Sequence, residues 1–412
     1  MGGRQTGRRI AIIGGGPAGA HCAARLARGG ATVTLYEARS SFEKACGGGI
    51  PDRGLELYPF LDDPALPARR LSTCLLLSPS GRQAMIPLAR PLHVVKRAHL
   101  HDFMLRRAQR CGARLVRRRV ITFRREPTSG WLLRVAVDGG VPSMQDGPYD
   151  FLVAADGAAG TSRRRLVGAL PASDLTQGIG YYLPGVVEDR ITLRFYDDLS
   201  GYLWVFPRLD HSSVGICGPL GSRPATDLRA LLDRFITERY GADQLQRGHR
   251  YAALIPAAAT EPAATIMQGD GWALVGDSGR FVDPLTREGI FHAMQAADHL
   301  ADALLADRPA DYAASWAAAG GEELAWAARH ADRFFDPKFI EIMVALCGAS
   351  QTVASVMSDL IAGRQAYRSL KRTLLRGLPA VVLEVAKHLL TRRRGSSPSL
   401  PRSSPVRLSR DS

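Results

Sequence analysis

Lysine is scarce in this chain: positions 44, 96, 338, 371 and 387 hold all of it, within 54 Lys and Arg among 412 residues. Paired cysteines are missing as well. The six cysteines (22, 46, 74, 111, 217 and 347) are scattered, with no C-x-x-C. That spacing excludes a disulfide framework, a zinc site and an iron–sulfur cluster, and predicts a reducing cytoplasmic setting. The histidines, among them 93, 99, 101, 211, 292 and 299, show no metal-ligand spacing, so no metal is expected. Long apolar runs are lacking too. The longest uncharged stretch, 342–358, has 17 residues and includes Ser, Gln, Thr and Gly, which fits a core helix better than a membrane span. The basic start (Arg4, Arg8, Arg9) leads straight into a strand with no cleavable apolar segment, so no signal peptide is expected.

What the chain has is an ordinary globular composition, 46% hydrophobic and 23% charged, with a formal net charge of +15. Its length predicts two or three domains. The positive charge is concentrated at the end. From Arg364 onward there are twelve Lys or Arg against Glu384 and Asp411. This segment has no aromatic beyond Tyr367 and matches no nucleic-acid-binding module, so anionic lipid headgroups are the favoured partner and nucleic acid is not expected.

The most informative motif comes first. A strand, Ile10-Ala11-Ile12-Ile13, runs into Gly14-Gly15-Gly16-Pro17-Ala18-Gly19 and then a helix. A second strand, Ala31 to Tyr36, ends at Glu37. Gly14 permits the tight turn, Gly16 lets backbone amides approach a pyrophosphate, and Gly19 lets helix and strand pack closely. The helix N-terminus offers unpaired N–H groups to phosphate, and Glu37 is placed to bind ribose hydroxyls. Strand, loop, helix and acid together predict a dinucleotide site.

Further along, a helix is predicted from Arg97 to Cys111. Strands are predicted in 71–95 around a turn at Pro79-Ser80-Gly81, at 114–123 and 131–137, and through 178–220. Two short buried strands end in acids: Phe151 to Ala155 before Asp156-Gly157, and Trp272 to Val275 before Gly276-Asp277. A loop, Asp283-Pro284-Leu285-Thr286-Arg287-Glu288, then leads to a helix over Gly289–Ala306, and 311–394 reads as helical throughout. Leu378 to Leu390 is short, apolar on one side and flanked by Arg, so an interfacial helix and a helix packed on the domain are both open.

An acid ending a buried strand of an α/β sheet lies where ligands bind, although each of Asp156 and Asp277 taken singly also fits a helix cap. Asp277 is placed to hold the ribityl hydroxyls of a flavin, and the helix beginning at Gly289 to face the N1–C2=O edge of the ring. In this order the three motifs resemble the FAD-binding domain of the p-hydroxybenzoate-hydroxylase-like flavoproteins, over about residues 8 to 300. The resemblance implies FAD as cofactor. It gives Gly14, Gly16, Ala18, Gly19, Glu37, Asp156, Gly157, Asp277, Pro284, Gly289 and Ile290 as its contacts, and Arg97 as a further one at the start of the first long helix. The expected fold is α/β: a Rossmann-type FAD-binding domain (8–70, 96–170 and 269–308), an inserted, mainly antiparallel substrate sheet (71–95 and 171–268), a helical C-terminal region (309–394) and a disordered basic tail (395–412).

Two more motifs narrow the resemblance. Cys46-Gly47-Gly48-Gly49-Ile50 follows Glu37, in a loop expected beside the flavin ring. Tyr202-Leu203-Trp204-Val205-Phe206-Pro207 has Tyr202, Trp204 and Phe206 on one strand face by period-2 geometry. The pair is similar to the C-G-G-G loop and Y-x-W-x-F-P strand of the geranylgeranyl reductase family, with Cys217 standing where the second glycine of the family's following G-x-G belongs. That resemblance implies flavin-dependent reduction of isolated C=C bonds in a polyprenyl lipid, with hydride from reduced flavin N5 and with NADPH or another reductant as electron donor. Cys46 and Tyr202 are the candidate proton donors, Cys46, Gly47 and Gly48 also flavin contacts, and Tyr202, Trp204, Phe206 and Pro207 a substrate wall. The expected location is cytoplasmic, with peripheral contact at the inner membrane face through the basic C-terminus. A flavin monooxygenase or halogenase on the same fold, or a membrane-associated electron-transfer flavoprotein, are the other open functions; no Lys lies between 45 and 95 to relay halogen.

Overall fold

The computed structural model describes residues 7–41, 43–137, 143–261 and 267–394. The chain forms two compact units and passes repeatedly between them. The first comprises the residues up to Lys44, Arg97–Leu175 and Leu254–Ala328; the second comprises Ala45–Lys96, Thr176–Ala253 and the residues from Arg329 onward. The expected tail, 395–412, lies outside the described residues.

The first unit is built on a six-stranded sheet in the order Gln268–Gly269, Trp272–Leu274, Phe151–Ala154, Arg9–Ile13, Thr32–Tyr36, Arg114–Val116. All pairs are parallel except the short edge strand Gln268–Gly269. The three central strands are near-continuous apolar runs because helices cover a parallel sheet. One is the helix Pro17–Arg28, starting with Pro at its first turn, where no N–H is needed. Its approach to the sheet is set by glycine. A Cβ on Gly19 would lie 1.9 Å from the Gly14 carbonyl oxygen, and one on Gly14, at φ +106°, would lie 2.4 Å from the Ala155 oxygen. Ile10, Ile12, Ala20, Ala23, Leu26 and Leu35 fill the resulting core.

A small antiparallel sheet of Val120–Glu126, Gly130–Val135 and Met144–Tyr149 belongs to the same unit. The single strand expected over 114–123 is therefore two strands in two sheets. Arg114–Val116 pairs with Thr34–Tyr36, and the chain bends before Val120 to begin the second sheet. Met144–Tyr149 escaped the sequence pattern because Gly147 and Pro148 interrupt it; as an edge strand it tolerates proline.

The second unit carries an eight-stranded sheet in the order His249–Pro256, Leu175–Pro184, His211–Pro219, Tyr202–Pro207, Ile191–Arg194, Ala68–Leu77, Gln83–Val95, Gly49–Ile50. It is mainly antiparallel, with one parallel pair, Ile191–Arg194 against Ala68–Leu77. The alternation along Tyr202–Pro207 has the expected consequence: Leu203 and Val205 enter one apolar cluster, and Phe206 packs against another. Segment 171–268 is not sheet alone. A helix, Ala225–Tyr240, begins after Pro224 and buries Leu228, Leu232, Phe235 and Ile236, an i, i+4, i+7, i+8 stripe visible in the sequence but not marked there. The region 309–394 is helical as expected, but shared: the part to Ala328 packs in the first unit and the part from Arg329 in the second. In the latter, Pro337–Ala349 and Gln351–Ile361 bury Ile340, Met343, Val344, Val353 and Ala354 against the sheet. Among the described residues no single helix is long and apolar enough to cross a membrane.

The glycine contact makes a testable contrast. Gly19→Ala drives a methyl into the Gly14 carbonyl and is expected to cost about 2 kcal/mol of stability. Gly16→Ala, where a Cβ meets nothing within 4 Å, is expected to leave stability unchanged. Urea melts of the two variants against wild type check this.

Candidate active site

The first unit presents a cradle at the carboxyl ends of its parallel strands. The helix Pro17–Arg28 starts there with Gly16 as its N-cap, no side-chain cap and no acid in its first turn. Its first amides are thus left for an anion. The space where a Gly16 Cβ would point is open. Glu37 ends the next strand with Oε2 accepting from Gly15 N at 2.8 Å and Oε1 accepting from Arg39 N at 2.9 Å. Gly15, which the sequence reading did not single out, is as constrained as its neighbours: a Cβ would lie 2.7 Å from Leu105 and 2.9 Å from the Glu37 side chain.

The two acids that end buried strands have different settings. Asp156 caps the helix Thr161–Val167 by accepting from Ser162 N at 2.8 Å, under Gly160, whose Cβ would lie 2.2 Å from Asp156 Oδ1. Burial pushes its pKa up, and Oδ1 has no hydrogen-bond partner among the described residues. Gly157 follows at φ +90°. Asp277 instead pairs through Oδ2 with Lys44 Nζ at 2.5 Å, while Oδ1 would lie 3.4 Å from a Cβ on Gly289. Gly289 thus lies beside Asp277, at the start of the helix Ile290–Leu305. Pro284 and Ile290 are buried on either side of a turn in which Asp283 Oδ1 accepts from Leu285 N and Thr286 N, both at 2.8 Å. Arg97 is also buried, at the start of the helix Arg97–Arg110, whose first amides donate to Glu43: Arg97 N to Oε1 at 3.1 Å and Ala98 N to Oε2 at 2.8 Å. The role of Glu43 was not legible, because its capping partner lies more than fifty residues on.

These residues fit FAD. Open amides and empty space at Gly16 suit a pyrophosphate, Glu37 suits a ribose, and Asp277 with the orphaned oxygen of Asp156 offers acceptors for hydroxyl groups.

Glu288 was not picked out either. Its carboxyl accepts from Phe291 N at 2.8 Å, and its pKa is pushed up to about 7 by burial and, secondarily, by the Asp283 charge. The neutral form is thus favoured in the fold.

The second unit organises the Cys46 loop. Gly48 N donates to Cys46 Sγ at 3.3 Å. The Cys46 carbonyl accepts twice, from Arg208 Nη2 at 2.9 Å and from Ser213 Oγ at 3.0 Å. Within this unit the planar ring that the glycines approach is Phe206: a Cβ on Gly47 would lie 2.9 Å from it and one on Gly49 2.8 Å. Gly48 sits at φ +85° against Val95, where a Cβ would come within 2.3 Å of the carbonyl oxygen. The triple glycine is thus a packing requirement of the fold, whatever else it serves.

Arg208, directly after the Y-x-W-x-F-P strand, is 1% exposed and was missed. Its guanidinium lies 4.9 Å from the Tyr182 ring centroid, and Nη1 is 3.2 Å from His211 Nε2. His211 Nδ1 is 2.6 Å from Asp210 Oδ1. These two partners assign a neutral imidazole that donates from Nδ1 and accepts at Nε2. Burial and the Arg208 charge hold its pKa below the usual value, against the pull of Asp210.

Tyr202, Trp204 and Phe206 share a face as expected, with Tyr202 and Trp204 ring centroids 6.1 Å apart. Pro207 closes the strand in a buried position. Trp204 lies over Gly215, where a Cβ would be 2.4 Å from the indole. Cys217 faces Tyr202 across the ladder, with Sγ 3.7 Å from the Tyr202 carbonyl oxygen. Cys46 and the aromatic strand are thus brought together within the second unit, and the glycine cradle, Glu37, Asp156 and Asp277 within the first. Among the described residues no three His, Cys, Asp or Glu side chains gather as a metal site.

Residues 8–67 match the family model described as Pyridine nucleotide-disulphide oxidoreductase, which implies FAD binding. Over longer spans the chain is 27% identical to Geranylgeranyl diphosphate reductase of Synechocystis sp. (72% of this chain, 75% of the relative). It is 29% identical to Digeranylgeranylglycerophospholipid reductase 2 of Methanothermobacter thermautotrophicus (70% and 75%). It is also 29% identical to Menaquinone reductase of Mycolicibacterium smegmatis (74% and 78%). The fold matches the crystal structure of a geranylgeranyl bacteriochlorophyll reductase-like protein from Thermoplasma acidophilum, with TM-score 0.70, 19% identity, and coverage of 90% of this chain and 99% of that one. Fold and site together define an FAD-dependent oxidoreductase with the p-hydroxybenzoate-hydroxylase-like architecture. Within that class, the chain is similar to the geranylgeranyl reductases over about seven tenths of its length.

Two outcomes are expected. Gly16→Ala fills the open space with a methyl and should lower the flavin content of the purified protein, read from its absorbance, without the stability loss of Gly19→Ala. The second concerns pH. A carboxyl whose folded pKa lies above its unfolded value stabilises the fold fully below the unfolded pKa, and that contribution is lost as pH rises through the folded one. The stability difference between wild type and Glu288→Gln, measured on apoprotein, should therefore shift against wild type by on the order of 2 kcal/mol between pH 5 and pH 8. An unchanged difference would refute a neutral Glu288.

Proposed function

We propose that this protein is an FAD-dependent reductase of isolated C=C bonds in a polyprenyl chain of geranylgeranyl type. One observation carries the reading: the Cys46 loop, held by Arg208 and Ser213, packs against the aromatic strand of Tyr202, Trp204 and Phe206. Relatives matched over about seven tenths of this chain are named as reductases of geranylgeranyl compounds or of menaquinone, which supports the same substrate class. The electron donor we assign is NADPH or another reductant, and the place is the cytoplasm at the inner face of the membrane.

Bound FAD in its reduced form supplies the hydride. The protein must supply the rest. An isolated alkene is unpolarised, so the carbon opposite the hydride needs a proton from a donor held close by and shielded from water. Cys46 is the donor we favour. The Gly48 N–H donates to its sulfur, and the two hydrogen bonds to its carbonyl fix where its side chain starts. Tyr202 is the second candidate, its ring held between Phe195 and Trp204. Tyr202, Trp204, Phe206 and Pro207 offer an apolar wall that grips an isoprenoid chain and restricts its orientation, which lowers the barrier by cutting the entropy of alignment.

The test uses purified protein loaded with FAD, reduced anaerobically and incubated separately with geranylgeranyl diphosphate, a geranylgeranylated glycerolipid and menaquinone. Mass spectrometry should show one substrate gaining two hydrogens per reduced bond. Cys46→Ala should retain FAD and slow turnover by about a hundredfold or more. No mass gain on any of the three, with rapid NADPH-dependent oxygen uptake, would replace the reading with a monooxygenase.

A further inference from the structure

The last two helices of the second unit, Tyr367–Arg376 and Leu378–Arg394, have their apolar residues on two sides. One side is used. Tyr367, Leu370 and Val381 are buried, and Leu374 and Val385 pack on the cluster formed by Ile340, Val344 and Val353. The other side is bare. Leu378, Val382, Leu383, Leu389 and Leu390 are between 49% and 60% exposed, and Leu375, from the preceding helix, 57%. At 100° per residue, Leu378, Val382 and Leu389 form a ridge within one narrow arc, and Leu383 and Leu390 form a second line about 100° further round the helix. Seventeen residues at 1.5 Å each make this helix about 25 Å long.

Charge frames the ridge. Between 364 and 394 the sequence holds nine Lys or Arg and one acid, Glu384. That acid is already engaged, at the start of the helix Gln351–Ile361. Its Oε2 accepts from Ser350 Oγ at 2.5 Å and from Thr352 N at 3.1 Å, and its Oε1 from Thr352 Oγ1 at 3.1 Å. Arg364 is engaged with Asp52 and Glu56. Arg368, Lys371, Arg372, Arg376 and Lys387 are exposed. This segment thus combines an aliphatic ridge with exposed cations, and its single acid is held by Ser350 and Thr352.

We propose that this helix pair is a docking surface for an anionic phospholipid bilayer. Leu378–Arg394 would lie in the plane of the interface, its ridge among the acyl chains and the flanking cations at the headgroups. The chemistry selects this occupant. Binding of an in-plane helix rises with its apolar face and with attraction between basic residues and anionic lipid, and both parts are present. Protein interfaces centre on aromatic anchors, whereas every residue of the ridge is Leu or Val. The inference stands apart from the reductase reading, because binding is measured without substrate or turnover.

The test is cosedimentation of the full-length, FAD-loaded protein with vesicles of phosphatidylcholine alone or mixed with phosphatidylglycerol. Wild type should bind the mixed vesicles, bind the neutral ones far more weakly, and lose binding as salt is raised. Lys371→Gln/Arg372→Gln/Arg376→Gln should lose roughly fivefold in partitioning for each cation removed. Val382→Ser/Leu383→Ser/Leu389→Ser should lose binding at all salt concentrations while keeping its FAD and melting temperature. Failure of wild type to bind mixed vesicles would overturn the proposal, as would wild-type binding by either variant. If sedimentation velocity instead shows a wild-type dimer that the Ser variant dissociates, the ridge belongs to a second copy and the bilayer proposal falls.

Discussion

The backbone of the helix Pro17–Arg28 meets the turn before it at a distance that no side chain allows. Gly19 lies so close to the Gly14 carbonyl that a single methyl would overlap it, and Gly14 is pressed against Ala155 in the same way. This contact fixes the height of the helix above the sheet, and with it the direction of its first amides. It also joins the strand Arg9–Ile13, the helix and the end of Phe151–Ala154 at one point. Glu37 on the neighbouring strand, Asp156 just beyond the contact and Asp277 on the next strand are all positioned from the same sheet register. Loosening the contact displaces each of them.

The second unit solves a comparable problem with aromatic rings and a buried cation. Glycines at 47, 49, 180 and 215 each face a ring: Phe206 for the first two, Tyr251 for the third, Trp204 for the fourth. Arg208 then ties the Cys46 carbonyl to the strand while lying over Tyr182, so that its charge is met by a carbonyl dipole and a ring face. His211, kept neutral between Asp210 and Arg208, accepts from the guanidinium without adding charge to the interior.

Much of this was legible in the sequence where the signal is local. The turn of Gly14 to Gly19, the strands ending at Glu37 and Asp277, and the alternation through Tyr202 and Phe206 all depend on neighbours in the chain, and the α/β class with an inserted antiparallel sheet followed from them. What escaped depends on distant partners or on interrupted patterns. Arg208 carried no local signal, because its acceptor, the Cys46 carbonyl, is far away in sequence. Glu43 likewise carried none, because the helix amides that it caps begin at Arg97. The helix Ala225–Tyr240 had clear apolar periodicity and was passed over in a region dominated by strand signals. The triple glycine after Cys46 is also required by Phe206 and Val95, partners too distant in sequence to be legible.

The interleaving of the two units bears on how the chain folds. In the first unit's sheet, Ile10 pairs with Phe151 and Leu152 with Trp272, so its three central contributions are separated by more than a hundred residues each. Neither unit is one contiguous stretch of chain, and synthesis must deliver the residues through Leu274 before the parallel sheet can be completed. Non-local pairings of this kind make for slow folding and leave open strand edges in the interim. Nascent chains that have emerged only as far as the Tyr202 strand therefore carry an unfinished sheet with Phe151–Ala154 exposed along one side, and the time spent in that state is a vulnerability written into the order of the segments.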